Sequence, residues 1–198
     1  KFDPAQNKSS KQSVVAIEKI IKEIDKALEG INRLDQDRIL RRYKDIIRAT
    51  LRTNYFQWRE KDIRKTYLSL KINSKVLKDI PLPKPVFEIF VYSPRFEGVH
   101  LRSTKVARGG LRWSDRPEDF RTEVLGLMKA QQVKNACIVP SGAKGGFVAK
   151  CIPENATRDE MMEHGIACYR EFIQALLDIT DNVVDKKVVR PKNVVVYD

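Results

Sequence analysis

Two glycine-bearing segments hold the side chains best suited to chemistry: Arg108-Gly109-Gly110-Leu111-Arg112-Trp113 and Ser141-Gly142-Ala143-Lys144-Gly145-Gly146. Paired glycines open backbone conformations closed to other residues and let a ligand approach the main chain, and here each pair adjoins a cation. Anion recognition is the natural chemistry. Neither segment is a phosphate-binding loop of the GxxxxGK[ST] type, because the spacing fails and Lys144 is followed by Gly rather than Ser or Thr. No GxGxxG opens a helix after a strand, so no dinucleotide-binding unit is visible. Taken singly, each segment reads more simply as an ordinary loop of a basic protein. Lys134 makes them more specific together. Arg108, Lys134 and Lys144 each fall at an expected loop or element end, where side chains can converge on one cleft, and three cations suit a dicarboxylic acid. A lysine set beside other cations and out of bulk water loses its preference for the charged form, and a neutral amine acts as general base or nucleophile.

The elements that must position these residues follow from side-chain period. Ile17, Ile20, Ile21, Ile24, Leu28 and Ile31 recur at helical steps, with Ser13 as N-cap and Gly30 as stop. Ile39, Leu40, Tyr43, Ile46, Ile47 and Leu51 form a second such face behind Asp35, whose carboxylate suits a cap. A helical hairpin over 13–53 is expected. Leu68, Leu70 and Ile72 then alternate with polar residues, and Phe87 to Tyr92 is rich in aromatic and β-branched side chains, so both are strands. Ser93 to Gly98 supply turn residues before a strand around Val99 to Arg102. Ser114 or Asp115 caps a helix whose face is Phe120, Val124, Leu127, Met128 and Gln131. A strand-like run at 136–140 leads into the glycine cluster, and Thr157-Arg158-Asp159-Glu160 is a capping box for a helix with face Met162, Ile166, Tyr169, Ile173, Leu176 and Leu177. Strand, helix, strand, helix in that order argues for an α/β layer.

The chain has 198 residues, 42% of them apolar and 32% charged, which excludes disordered, collagenous and disulfide-dense classes. No stretch approaches the roughly 20 apolar residues of a membrane span, and the first residues lack a signal-peptide core, so a cytoplasmic location is the default expectation. Cys137, Cys151 and Cys168 form no CxxC motif and read as small apolar core residues; His100 and His164 read as structural. No metal site is expected. Charge is uneven: residues 1–150 carry 32 Lys and Arg against 17 Asp and Glu, whereas 151–198 carry 6 against 9. Either a nucleic-acid footprint or cations gathered around a small anion, with an ordinary solvated helical surface, would produce this.

Val106-Ala107-Arg108-Gly109-Gly110-Leu111-Arg112-Trp113-Ser114-Asp115, Glu118 to Leu127, Lys134-Asn135-Ala136 and Pro140-Ser141-Gly142-Ala143-Lys144-Gly145-Gly146-Phe147 closely resemble the glutamate dehydrogenases, above all the large NAD-specific bacterial form. The resemblance implies that Lys144 is the catalytic lysine that activates water between 2-iminoglutarate and 2-oxoglutarate. Lys134 matches the lysine holding the α-carboxylate of glutamate. Arg108, before Gly109 and Gly110, matches the position that pairs with the distal carboxylate, where the compact dehydrogenases have Lys; an arginine can bind a carboxylate through two parallel hydrogen bonds. The implied fold is an amino-acid-dehydrogenase-like substrate domain over 61–198, mixed-sheet α/β, preceded by a helical hairpin segment over 1–60. The implied cofactor is NAD, bound mainly by a domain outside this chain, with no cofactor-binding residue here. The implied partners are L-glutamate and 2-oxoglutarate, without nucleic acid or membrane, in a parent that is a homo-oligomer. With no initial Met, the chain reads as an excised piece, inactive alone.

Two other classes compete. Tyr55, Phe56 and Trp58 among Arg52, Arg59 and Lys61 have the interleaving of a basic nucleic-acid-binding module, although such a cluster at a helix end is more often core packing. A structural reading has the helical hairpin pack against the rest of a large chain.

Overall fold

The alternating run at Leu68–Ile72 and the aromatic, β-branched run at Phe87–Tyr92 pair antiparallel, from Leu68 opposite Tyr92 to Ile72 opposite Glu88, and form the middle of a larger sheet. The computed structural model of the protein describes residues 10–60, 63–134 and 141–198. In chain order the elements are α1 (Ser10–Leu28), α2 (Leu34–Ala49), β1 (Thr50–Thr53), β2 (Trp58–Glu60), β3 (Ile63–Arg64), β4 (Leu68–Ile72), β5 (Phe87–Tyr92), β6 (Phe96–Arg102), β7 (Leu111–Trp113), α3 (Phe120–Lys134), β8 (Ala143–Ala149), α4 (Arg158–Asp178), β9 (Asn182–Val184), β10 (Lys187–Val189) and β11 (Val195–Val196). Seven strands form one sheet in the order β11-β1-β4-β5-β6-β8-β7, antiparallel throughout except for the parallel pair β7–β8. The protein is thus α/β with a mixed, mostly antiparallel sheet. No helix among the described residues is long and apolar enough to cross a membrane.

Alternation along β6 divides the core between the two faces. Val99 and Leu101 pack with Phe120, Val124, Leu125 and Met128 of α3, whereas Phe96 packs with Phe147, Cys168, Phe172 and Ala175 beneath α4. Removing a side chain such as Phe172 from water contributes about 2 kcal/mol. The capping box opens α4 as expected: Thr157 Oγ1 accepts from Glu160 N–H at 3.3 Å while Glu160 Oε2 accepts from Thr157 N–H at 2.8 Å.

Several boundaries and faces differ from expectation. α1 begins at Ser10, so Ser13 lies inside it; α2 has Arg33 at its N-cap position, and Asp35 lies in its first turn, accepting a bond from the Arg33 side chain at 3.0 Å. The helical hairpin stops at Ala49, because 50–53 enter the sheet as β1 and carry Leu51 with them. β6 starts at Phe96, within the segment read as a turn, since that residue's side chain belongs to the α4-side core. α3 begins at Phe120 rather than near Ser114; Asp119 O accepts from the Thr122 and Glu123 N–H groups. On α4 the buried stripe is Gly165, Cys168, Phe172 and Ala175, and four residues of the expected face, Met162, Ile166, Tyr169 and Leu177, are exposed. The stripe is fixed by two close contacts: a Cβ on Gly165 would stand 2.3 Å from the Trp113 ring, and the Phe172 ring packs over Gly98. Ile39, Leu40, Tyr43 and Ile47 of α2 are likewise exposed. Cys151 is exposed, unlike buried Cys168, and Cys137 lies outside the described residues, as does the strand expected at 136–140.

His100 on β6 stands opposite Gly145. Its Nδ1 is buried with no hydrogen-bond partner among the described residues, and burial, with Arg102 nearby, pulls its pKa down from 6.5 to about 4. Above pH 6.5 the imidazole is neutral in both folded and unfolded states. Between 6.5 and about 4 the unfolded chain alone takes up the proton, so stability falls with pH across that window. His100→Gln is expected to reduce the loss of unfolding free energy between pH 7 and pH 4.5 by about 2 kcal/mol, read by urea titration at the two pH values. An unchanged loss would contradict this account.

Candidate active site

The two glycine-bearing segments, far apart in sequence, lie side by side. Arg108 bridges Gly142 in parallel register, Ala143 N–H donates to Arg108 O at 3.1 Å, and Gly145 N–H donates to Gly110 O at 3.0 Å. Leu111 to Trp113 continue this pairing against Gly145 to Phe147. The second glycine cluster is therefore no loop but the first half of β8, hydrogen-bonded on both edges. None of the described glycines has positive φ. Their requirement is steric: a Cβ on Gly109 would stand 1.3 Å from Ala143 O, one on Gly142 would stand 2.4 Å from Met128 O, and one on Gly146 would stand 2.5 Å from Val124 Cγ2. Missing side chains thus let β7 and α3 close onto β8.

Lys144 rises from β8 between these contacts. Its Nζ lies 3.9 Å from where a Cβ on Gly110 would be, and the residue is half-buried. Neither Lys144 nor exposed Arg108 has a carboxylate partner among the described residues. Nearby cations do: Arg112 pairs with Glu123 at 2.5 Å, Arg121 with Glu88 at 2.6 Å, and Arg116 with Asp119. Lys134 is the last residue of α3, one helical turn beyond Gln131. Gln131 Oε1 is buried without a partner among the described residues and faces Gly109, 3.0 Å from its would-be Cβ. In sequence Gln131 belongs to an apolar helix face, and its amide one turn before Lys134 is the signal for its place here. Arg108, Gly109, Gly110 and Lys144 are thus brought together beside the C-terminal turn of α3.

Hydroxyl groups fix the start of β8. Ser103 Oγ accepts from Gly142 N–H at 3.0 Å and donates to Gly142 O at 2.8 Å, and the side chain of Ser141 meets those of Ser103 and Thr104. At the other end Trp113 stacks on Phe147 over Gly165, and buried Ser114 donates to Glu123 at 2.6 Å. Among the described residues no group of three or more His, Cys, Asp or Glu is arranged to hold a metal ion. The chain contains no strand–GxGxxG–helix unit, so its residues do not fit a dinucleotide by that route.

The geometry defines an α/β domain with a cationic, glycine-lined strand pair at one edge of a mixed sheet. Residues 23–198 match the family model of the bacterial NAD-glutamate dehydrogenase catalytic domain, and the chain belongs to that family. Proteins named NAD-specific glutamate dehydrogenase are similar to it: one from Pseudomonas aeruginosa is 62% identical over 172 residues, 87% of this chain and 11% of that protein. One from Halomonas elongata is 56% identical over 198 residues, 100% of this chain and 12% of that protein. One from Mycobacterium tuberculosis is 53% identical over 186 residues, 91% of this chain and 11% of that protein. The chain therefore spans about an eighth or less of the length of these relatives.

The glycine contacts predict opposite outcomes for neighbouring substitutions. Gly109→Ala, whose methyl meets backbone, is expected to destabilise the fold by about 2 kcal/mol or more, whereas Gly110→Ala, whose methyl meets only the end of Lys144, is expected to stay within about 0.5 kcal/mol of the parent. Thermal or urea unfolding of the two variants checks this.

Proposed function

We propose that this chain supplies the lysine-bearing, amino-acid-binding part of an NAD-specific glutamate dehydrogenase whose whole oxidises L-glutamate to 2-iminoglutarate, passes the hydride to NAD, and hydrolyses the imine to 2-oxoglutarate and ammonia. The observation that carries the reading is that Lys144 and Arg108, on adjacent glycine-bearing segments, have no carboxylate partner among the described residues. A half-buried ammonium without a counterion attracts an anion, and its amine, once neutral, takes the proton from water as that water attacks the imine carbon. Arg108 receives the distal carboxylate, Lys134 the α-carboxylate, and Gly109 and Gly110 leave room for the substrate backbone. The substrate-binding part occupies 61–198 in an amino-acid-dehydrogenase-like fold, and 1–60 is the helical segment before it, its last strands reaching the sheet region. NAD is bound by sequence outside this chain, in a cytoplasmic homo-oligomer. Relatives up to 62% identical are named NAD-specific glutamate dehydrogenase, which supports this reading.

In the full-length enzyme Lys144→Ala is expected to lower kcat at least about a thousandfold, while Lys134→Ala raises KM for glutamate at least about tenfold. The purified 198-residue chain should bind 2-oxoglutarate without forming NADH from glutamate and NAD. Steady-state kinetics and calorimetric titration check these outcomes. Full activity in Lys144→Ala, or NADH formed by the chain alone, would overturn the assignment.

A further inference from the structure

Beyond α4 the chain forms a bare two-stranded arm. Among the described strands β9 and β10 pair only with each other, Val183 opposite Val188, and every residue from Asn182 to Arg190 is exposed. Val183 and Val188 share one face at 72% and 71% exposure, and Val184 and Val189 share the other. The turn holds Asp185 and Lys186 at φ 51° and 62°, the left-handed pair that a two-residue hairpin requires and that residues with side chains adopt at a cost. A lone hairpin with valines on both faces is marginal in water and calls for a surface to cover it. Its base is already fixed, because the Arg52 side chain donates to Ile179 O at 3.1 Å and to Asp181 at 2.7 Å just before β9.

The surface that matches the arm lies at the far end of the same helix. Met162, Ile166, Tyr169 and Leu177 form an exposed apolar stripe along α4, beside the stripe that meets the sheet. At its N-terminal end Asp159, Glu160 and Glu163 outnumber Arg158, whereas the arm carries Lys186, Lys187 and Arg190 against Asp185. Acidic end and basic arm are therefore complementary in charge, and both present apolar side chains. Within one chain they do not meet: the arm extends about 13 Å from Asn182 to its tip, short of the roughly 22 Å of helix between Glu163 and Asp178. Two copies with their α4 helices side by side and antiparallel bring each arm to the other's acidic end, and a two-fold axis makes the contact twice.

We propose that the outer face of α4 and the β9–β10 arm form the contact between two copies of this chain, the helices antiparallel about a two-fold axis near Tyr169 and each arm lying over the acidic, methionine-bearing end of the other helix. Flexible thioethers and an aromatic ring suit the centre of such a contact, and the charges suit its rim. The proposal gives the homo-oligomer of the dehydrogenase reading a contact surface. It rests on that oligomeric reading and not on the roles of Lys144, Lys134 or Arg108.

The test puts the photo-reactive residue p-benzoylphenylalanine in place of Val188 in the full-length protein, irradiates it, and maps by mass spectrometry the products of twice the chain mass. Cross-links between chains into residues 158–169 are expected. Ile166→Asp, at an exposed position, should lower their yield about fivefold or more without changing the circular dichroism. Glu163→Lys should lower it about threefold, and Glu163→Lys combined with Lys187→Glu should restore it. Cross-links confined to one chain, cross-links between chains that land elsewhere, no cross-link at all, or a yield untouched by Ile166→Asp would overturn the proposal. A full-length protein that sediments as a monomer would overturn the homo-oligomer with it, whereas an oligomer cross-linked elsewhere overturns this contact alone.

Discussion

Every feature around Lys144 depends on one steric constraint, the absence of Cβ atoms along β8 and its neighbours. Gly142 and Gly146 let α3 settle onto one face, Gly145 admits Leu111 on the other, and Gly109 lets the preceding chain approach the β8 backbone itself. Gly165 of α4 admits the Trp113 ring in the same way. Interior packing tolerates neither voids nor overlap, so these glycines set the separation of three elements at once. Lys144 is then the one long side chain in the first half of β8, held by a strand bonded on both edges. Sites built on a strand of this kind are positioned more sharply than sites on a loop.

Charge is distributed in keeping with that geometry. The most deeply buried cation among the described residues is matched: Arg52 donates to Asp181 at 2.7 Å and to Asp198 at 2.5 Å, and its hydrogen bond holds the Asp181 carboxyl below its ordinary range. Arg121 and Glu88 form a two-pronged pair. Buried ions without partners cost several kcal/mol, about enough to undo a small domain's margin, so such matching is obligatory in the interior. Against that background half-buried Lys144, with no carboxylate partner among the described residues, stands out. The same network alters the competing nucleic-acid reading: Arg52, one of the cations around Tyr55 and Trp58, is committed to two carboxylates and faces inward.

Much of the fold was legible in local pattern where local physics decides. Alternation located β4, aromatic and β-branched composition located β5, and the capping box of Thr157 and Glu160 fixed the start of α4. Local pattern misleads where a long-range contact overrides propensity. Glycines in 142–146 carry turn chemistry in isolation and become a strand interior only because β6 and β7 flank them. The buried stripe of α4 differs for a related reason: Phe172 packs over Gly98 and Gly165 admits the Trp113 ring, so Gly165, Cys168, Phe172 and Ala175 face in while Ile166 and Tyr169 face out. Periodicity reports an apolar stripe but not which of two stripes meets the sheet. The candidate site was legible as residue types and order, through Arg108, Lys144 and their glycines, because anion chemistry restricts the choice of side chain. Its depth was not. That Gly109 abuts a carbonyl, that Gln131 lacks a partner and that the two segments share hydrogen bonds are facts of strand pairing, which no spacing within either segment encodes.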